Sequence, residues 1–178
     1  MYYIAVLAPD SINEQVLKWK HFMRDRFGCI VALKSPAHIT LISPFWMNAE
    51  KQTELEASLA NFCLLQKNIH VELENFDAFK PRVIFVNVLQ SPELSNLAHN
   101  LEQHLSADSN FPIKHSSLPL HPHITIANRD LKKTDFTDSW QYFTNKKYSA
   151  SFEATGITLM KHNGMQWEAV HTARFPFM

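Results

Sequence analysis

The chain has 178 residues, 46% of them hydrophobic and 12% aromatic, which is enough to bury one sizeable core and too apolar for a disordered segment. Lysine plus arginine number 17 and aspartate plus glutamate also 17, so no bulk charge draws the protein along duplex nucleic acid, whereas a site for one phosphate needs no such excess. Three glycines are too few for a glycine-rich phosphate loop.

The predicted elements begin with an apolar run, Tyr2–Leu7, read as a buried strand. After Pro9-Asp10, Ser11 and Glu14 have the spacing of a capping box, and Ile12, Val16, Trp19, Met23 and Phe27 follow at helical intervals up to Gly28, a natural stop. Residues 30–33 read as extended. Residues 36–41 read as a strand carrying His38-Ile39-Thr40, which Pro44 is expected to end. A second helix shows Leu55, Leu59 and Phe62 on one face, and a strand at about 69–76 closes the unit.

The order then repeats. Val83–Val88 is a strand, and Ser91-Pro92 starts a helix with the stripe Leu94, Leu97, Leu101 and Leu105. His121-Pro122-His123-Ile124-Thr125-Ile126 is the second motif strand, and Phe136, Trp140 and Phe143 mark the inner face of another helix. Residues 149–160 and 165–175 read as two strands joined at His162-Asn163-Gly164, where Asn-Gly is a hairpin signal.

Tyr2 stands about as far from His38 as Val83 does from His123, and both spans contain the same order of elements. The expectation is one α+β domain, residues 1–178, built by internal duplication of units at about 1–78 and 79–178. Each of two pseudo-symmetric lobes would be an antiparallel sheet with helices on its outer face, and an active-site cleft would lie between them. Cys29 and Cys63 form no CxxC pair and read as reduced, packed thiols. No signal-like start and no run of ~20 apolar residues is present, so the expectation is a soluble, cytoplasmic monomer without a membrane partner.

The chemistry follows from strand geometry. Residues i and i+2 share a face, so His38 projects with Thr40 and His123 with Thr125, while Ile39, Leu41, Ile124 and Ile126 face a core. Two imidazoles and two hydroxyls then converge. One neutral imidazole can accept a proton from an attacking group, an imidazolium can donate one to a leaving oxygen, and threonine hydroxyls can donate to phosphate oxygens. No metal or other cofactor is required. A zinc site at His121-x-His123 has no matching ligand beside His38, where Ala37 stands. A third histidine, which the histidine-triad hydrolases require, is replaced by Thr125.

PAHITL and HPHITI resemble the paired H-φ-T-φ signatures of the 2H phosphoesterase superfamily, which includes 2′,5′ RNA ligase-like proteins and cyclic phosphodiesterases. Lys80-Pro81-Arg82-Val83-Ile84-Phe85 and the C-terminal hairpin are similar to the corresponding parts of ligase-like members, so the resemblance spans nearly the whole chain. It implies His38 and His123 as the acid–base pair and Thr40 and Thr125 as phosphate donors. It also implies attack on a 2′,3′-cyclic or related phosphodiester of a nucleotide or RNA end. The alternatives are reversible 2′,5′ ligation, or binding of RNA ends or phosphorylated metabolites without turnover. The segment Ile42-Ser43-Pro44-Phe45-Trp46 departs from the glycine-containing turn of ligase-like members. Arg82, Arg129 and Phe45 are further substrate-binding candidates, with Trp46 and Trp167 as possible stacking aromatics. His115, His162 and His171 have no matched partner and read as structural or surface residues.

Overall fold

Proline and glycine set the limits of the first helix. The computed structural model describes residues 1–114 and 119–176, so His115 lies outside the described residues. α1 (Asp10–Phe27) starts directly after Pro9, whose carbonyl accepts from the Ile12 and Asn13 amides at 3.0 and 2.9 Å. The Ser11–Glu14 capping box is therefore not used: Pro9 starts the helix earlier, Ser11 already lies inside it, and no side chain caps it. At the other end Gly28 takes a left-handed φ of 70°, and the Gly28 and Cys29 amides close on the Arg24 and Met23 carbonyls. Ser91 does cap α3 (Pro92–Ser106), its Oγ accepting from the Leu94 amide at 3.1 Å. The other helices are α2 (Gln52–Cys63) and α4 (Phe136–Thr144).

Among the described residues eight strands are formed: β1 (Tyr2–Leu7), β2 (His38–Phe45), β3 (Ile69–Phe79), β4 (Val83–Val88), β5 (His123–Ala127), β6 (Ser149–Ala154), β7 (Gly156–His162) and β8 (Trp167–Arg174). They make one antiparallel sheet in the order β6-β3-β4-β5-β2-β1-β7-β8. The fold is α+β, and its two antiparallel halves are continuous through one central pair, Ile39 opposite Ile124. Outward from that pair the halves match: β2, β1 and β7 on one side, β5, β4 and β3 on the other. β3, which follows α2, crosses over to pair with β4, and β7, the second strand after α4, crosses over to pair with β1. The helices cross likewise, α1 packing on β5 and α3 on β2.

Residues 149–160, expected as one strand, bend at Thr155 into β6 and β7. These two strands lie six places apart in the sheet order. In a flat sheet that is about 29 Å at ~4.8 Å per strand. A single linking residue cannot span it, so the sheet curls to bring the end of β6 to the start of β7. At the bend Gly156 lies against the Ala173 carbonyl oxygen, where a side-chain carbon has no room.

Residues 30–33 are not extended; the chain forms a 3-10 turn at Val31–Lys34 instead. The cause is distant in sequence. Asp130 Oδ2 accepts from the Ile30 and Val31 amides at 2.6 and 2.8 Å, tying the approach to β2 to the loop after β5. Asp130→Ala removes two bonds to a charged acceptor, one exposed and one part-buried, and is expected to cost about 1–3 kcal/mol. Urea unfolding measures it, and an unchanged midpoint would show that the tie contributes nothing.

The helices cover one face of the sheet over a core that includes Ile4, Ile39, Leu41, Ile84, Ile124 and Ile126. The opposite face carries a smaller cluster, Tyr3, Ala5 and Met160, with Leu7 and Trp167 against it. Cys29 and Cys63 are buried and free. No described helix is long and apolar enough to cross a membrane.

Candidate active site

Ile39 and Ile124 are fully buried beneath the helices. Alternation along β2 and β5 therefore sends His38, Thr40, His123 and Thr125 to the other face, where all four are half-buried. The antiparallel register of Ile39 against Ile124 sets His38 beside Thr125 and Thr40 beside His123. The two histidines occupy the diagonal of this square, about 7–8 Å apart between backbones.

Both rings are held the same way. His38 Nδ1–H donates to the Pro36 carbonyl at 2.7 Å, and His123 Nδ1–H donates to the His121 carbonyl at 2.7 Å. Each bond joins a histidine to the residue two positions before it and fixes the tautomer, so both Nε2 atoms are left for proton transfer. Burial pushes His38 down to about 4, opposed by its bond to Pro36 and assisted by the charges of Lys20 and His123. Burial also lowers His123, opposed by its bond to His121. Both imidazoles are thus held toward the neutral form, and a bound anion nearby would favour protonation.

The family model described as 2'-5' RNA ligase superfamily matches residues 8–166. The chain belongs to the 2'-5' RNA ligase superfamily. Solved structures share the fold of this superfamily member. TT0787 of Thermus thermophilus aligns with a TM-score of 0.71 at 17% identity, covering 99% of each chain. E. coli LigT, solved with 3'-AMP, aligns with a TM-score of 0.71 at 20% identity, covering 99% of this chain and 98% of that one. Usb1 of Kluyveromyces marxianus aligns with a TM-score of 0.50 at 15% identity over 98% of this chain and 97% of its own. A comparison with curated proteins gives no match.

Of the other expected site residues of this superfamily member, Phe45 is misplaced by the sequence reading. It is 7% exposed and stacks on Tyr2 with ring centroids 6.2 Å apart. Two register shifts between β1 and β2 follow Thr40, and they turn Ile42 and Phe45 to the helix-covered face. Pro44 lies in the second shift and does not end the strand. Trp46 is exposed at the end of β2 remote from His38. Arg82 and Arg129 are exposed beyond the Ala127 end of the β4–β5 pair, past Thr125 and its neighbour Phe85.

The sequence reading missed the rings that wall the histidines. Tyr3 lies 4.9 Å from His38 and 4.6 Å, edge-on, from Trp167. Its hydroxyl is buried beside Ser35 without a hydrogen bond of standard geometry. Phe85 and Phe79 lie 5.0 and 5.1 Å from His123, and Phe79 is 41% exposed. The available signal was alternation: Tyr3 lies between Tyr2 and Ile4, and Phe85 between Ile84 and Val86, which are under the helices, so both rings point to the other face. Among the described residues no group of three or more His, Cys, Asp or Glu is placed to hold a metal ion.

Proposed function

We propose that the protein hydrolyses a 2′,3′-cyclic phosphodiester, on a nucleotide or an RNA end, by metal-independent acid–base catalysis between His38 and His123. The observation that carries this reading is the matched pair of Nδ1 bonds, which presents two Nε2 atoms to one space flanked by two threonines. One Nε2 takes a proton from water as its oxygen bonds to phosphorus. The other gives a proton to the ribose oxygen as its bond to phosphorus breaks. Thr40 and Thr125 donate to the non-bridging oxygens, where negative charge is concentrated. Arg82 and Arg129, exposed beyond the Ala127 end of the β4–β5 pair, are the candidates to bind the remainder of the nucleotide. The solved complexes of E. coli LigT with 3'-AMP and with phosphate support a nucleotide phosphate as the ligand class.

The same four groups run the reaction in reverse with a hydroxyl in place of water, and the superfamily's name favours that second direction for RNA ends. The test is hydrolysis of 2′,3′-cyclic nucleotides with excess chelator, alongside incubation of RNA halves that carry a cyclic phosphate and a 5′-hydroxyl. Turnover is expected in chelator, with a bell-shaped kcat/KM profile because one histidine must be neutral and the other charged. Chelator-sensitive turnover, or binding of the whole panel with no turnover, would overturn the reading.

A further inference from the structure

Lys20 is a core residue with a charge. It is 3% exposed, on the α1 stripe that otherwise holds Ile12, Val16, Trp19 and Met23. Its Nζ donates to the Ser35 carbonyl at 2.9 Å. Seven residues earlier on α1, and hence on nearly the same face, Asn13 Oδ1 accepts from the Ala37 amide at 2.7 Å. Between these two bonds lies Pro36, whose carbonyl holds the His38 ring. We propose that Lys20, together with Asn13, is a positioning residue that clamps the Ser35–Ala37 seat of His38, and that its buried charge makes His38 the proton acceptor of the pair and His123 the donor.

This deepens the two-histidine reading and rests on it. Packing alone gives no reason for the ammonium, since burying a charge costs stability that a methionine of similar length does not. The second half of the molecule lacks this lysine. Matched from the helix starts, Ile12, Val16, Trp19 and Met23 of α1 fall on Leu94, Ala98, Leu101 and Leu105 of α3, and Glu102 stands where α1 has Lys20. The two histidines, alike in their own bonds, thus differ in what lies behind them. The groups facing His38 are Lys20 from α1, His123 from β5 and Tyr3 from β1. Burial lowers Lys20 to about 8, so it is charged at neutral pH and disfavours an imidazolium at His38. His123 is then the histidine that holds the proton when an anion is bound.

Lys20→Met removes the charge and keeps the bulk; Lys20→Arg keeps the charge; Lys18→Met, exposed on the same helix, is the control. Each is assayed on a 2′,3′-cyclic nucleotide from about pH 4 to 9, and the histidine rings are titrated by NMR. Lys20→Met is expected to lower kcat about tenfold to a hundredfold with little change in KM. It is also expected to move the acid limb of kcat/KM to higher pH as His38 becomes easier to protonate. Lys20→Arg is expected to restore the acid limb. Movement of the alkaline limb instead, or wild-type kcat and limbs in Lys20→Met, would overturn the assignment. Should Lys20→Met not fold, Asn13→Ala tests the clamp: reduced kcat at constant KM supports it, and unchanged kcat overturns it. Should wild type turn over no cyclic phosphate, the functional reading fails by itself. The NMR titration still decides the present one, since an unchanged His38 titration in Lys20→Met would sink it.

Discussion

His123→Ala is expected to lower kcat/KM for a 2′,3′-cyclic nucleotide by about 10²–10⁴-fold, the usual worth of one positioned acid or base. His38→Ala is expected to fall in the same range. His123 is half-buried on a strand surface, so the alanine variant keeps its fold, and circular dichroism is expected to match wild type. His38 lies deeper beside Tyr3, and its alanine variant also loses packing against that ring. On the proposed mechanism the two imidazoles act in one step, so the double variant should lose little more than the worse single one. Steady-state kinetics on the three purified variants reads this directly. Full activity in either single variant would remove that histidine from the chemistry, and additive losses would separate the two into different steps.

The parts of the fold that were legible in the sequence are those fixed by neighbours in the chain. The alternation in His-Ile-Thr placed Ile39 and Ile124 in the core and the four polar side chains on the open face, because strand periodicity depends on the backbone alone. Ser91-Pro92 and Gly28 marked helix ends for the same reason. What was not legible depends on partners far along the chain. Asp130 converts residues 30–33 from extended to a 3-10 turn across a gap of 99 residues. Phe45 was offered to the substrate because it follows the first motif closely, but register shifts against β1 turn it inward. The exchange of β3 and β7 between the halves leaves no local mark either, since each strand reads as an ordinary apolar run. The sheet order, with β2, β1 and β7 on one side of the Ile39–Ile124 pair and β5, β4 and β3 on the other, is likewise set by pairings between distant segments. Lys20 was hidden for a different reason: a lysine inside an amphipathic helix reads as solvent-facing until the packing shows otherwise.

Thr40→Val and Thr125→Val provide the second large expected effect. Valine matches threonine in shape and strand preference, so each change removes a hydroxyl and little else from the half-buried face. Loss of one donor to a charge-bearing oxygen costs about 10²–10³-fold in kcat where the donor is aimed at the transition state. The expectation for each variant is a loss in that range, with serine at the same position retaining most of the activity. The division between kcat and KM carries further information. A drop in kcat means that the hydroxyl binds the developing five-coordinate phosphorus more tightly than the cyclic substrate. A rise in KM with kcat unchanged means that it binds both equally and only holds the substrate. The geometry favours the first outcome for both threonines. Each stands beside the histidine of the opposite strand, so on the proposed mechanism each hydroxyl would act on the side of the phosphate where a proton is moved and charge changes. Wild-type kinetics in both valine variants would leave the two imidazoles without any donor to the phosphate oxygens and would contradict the four-residue site.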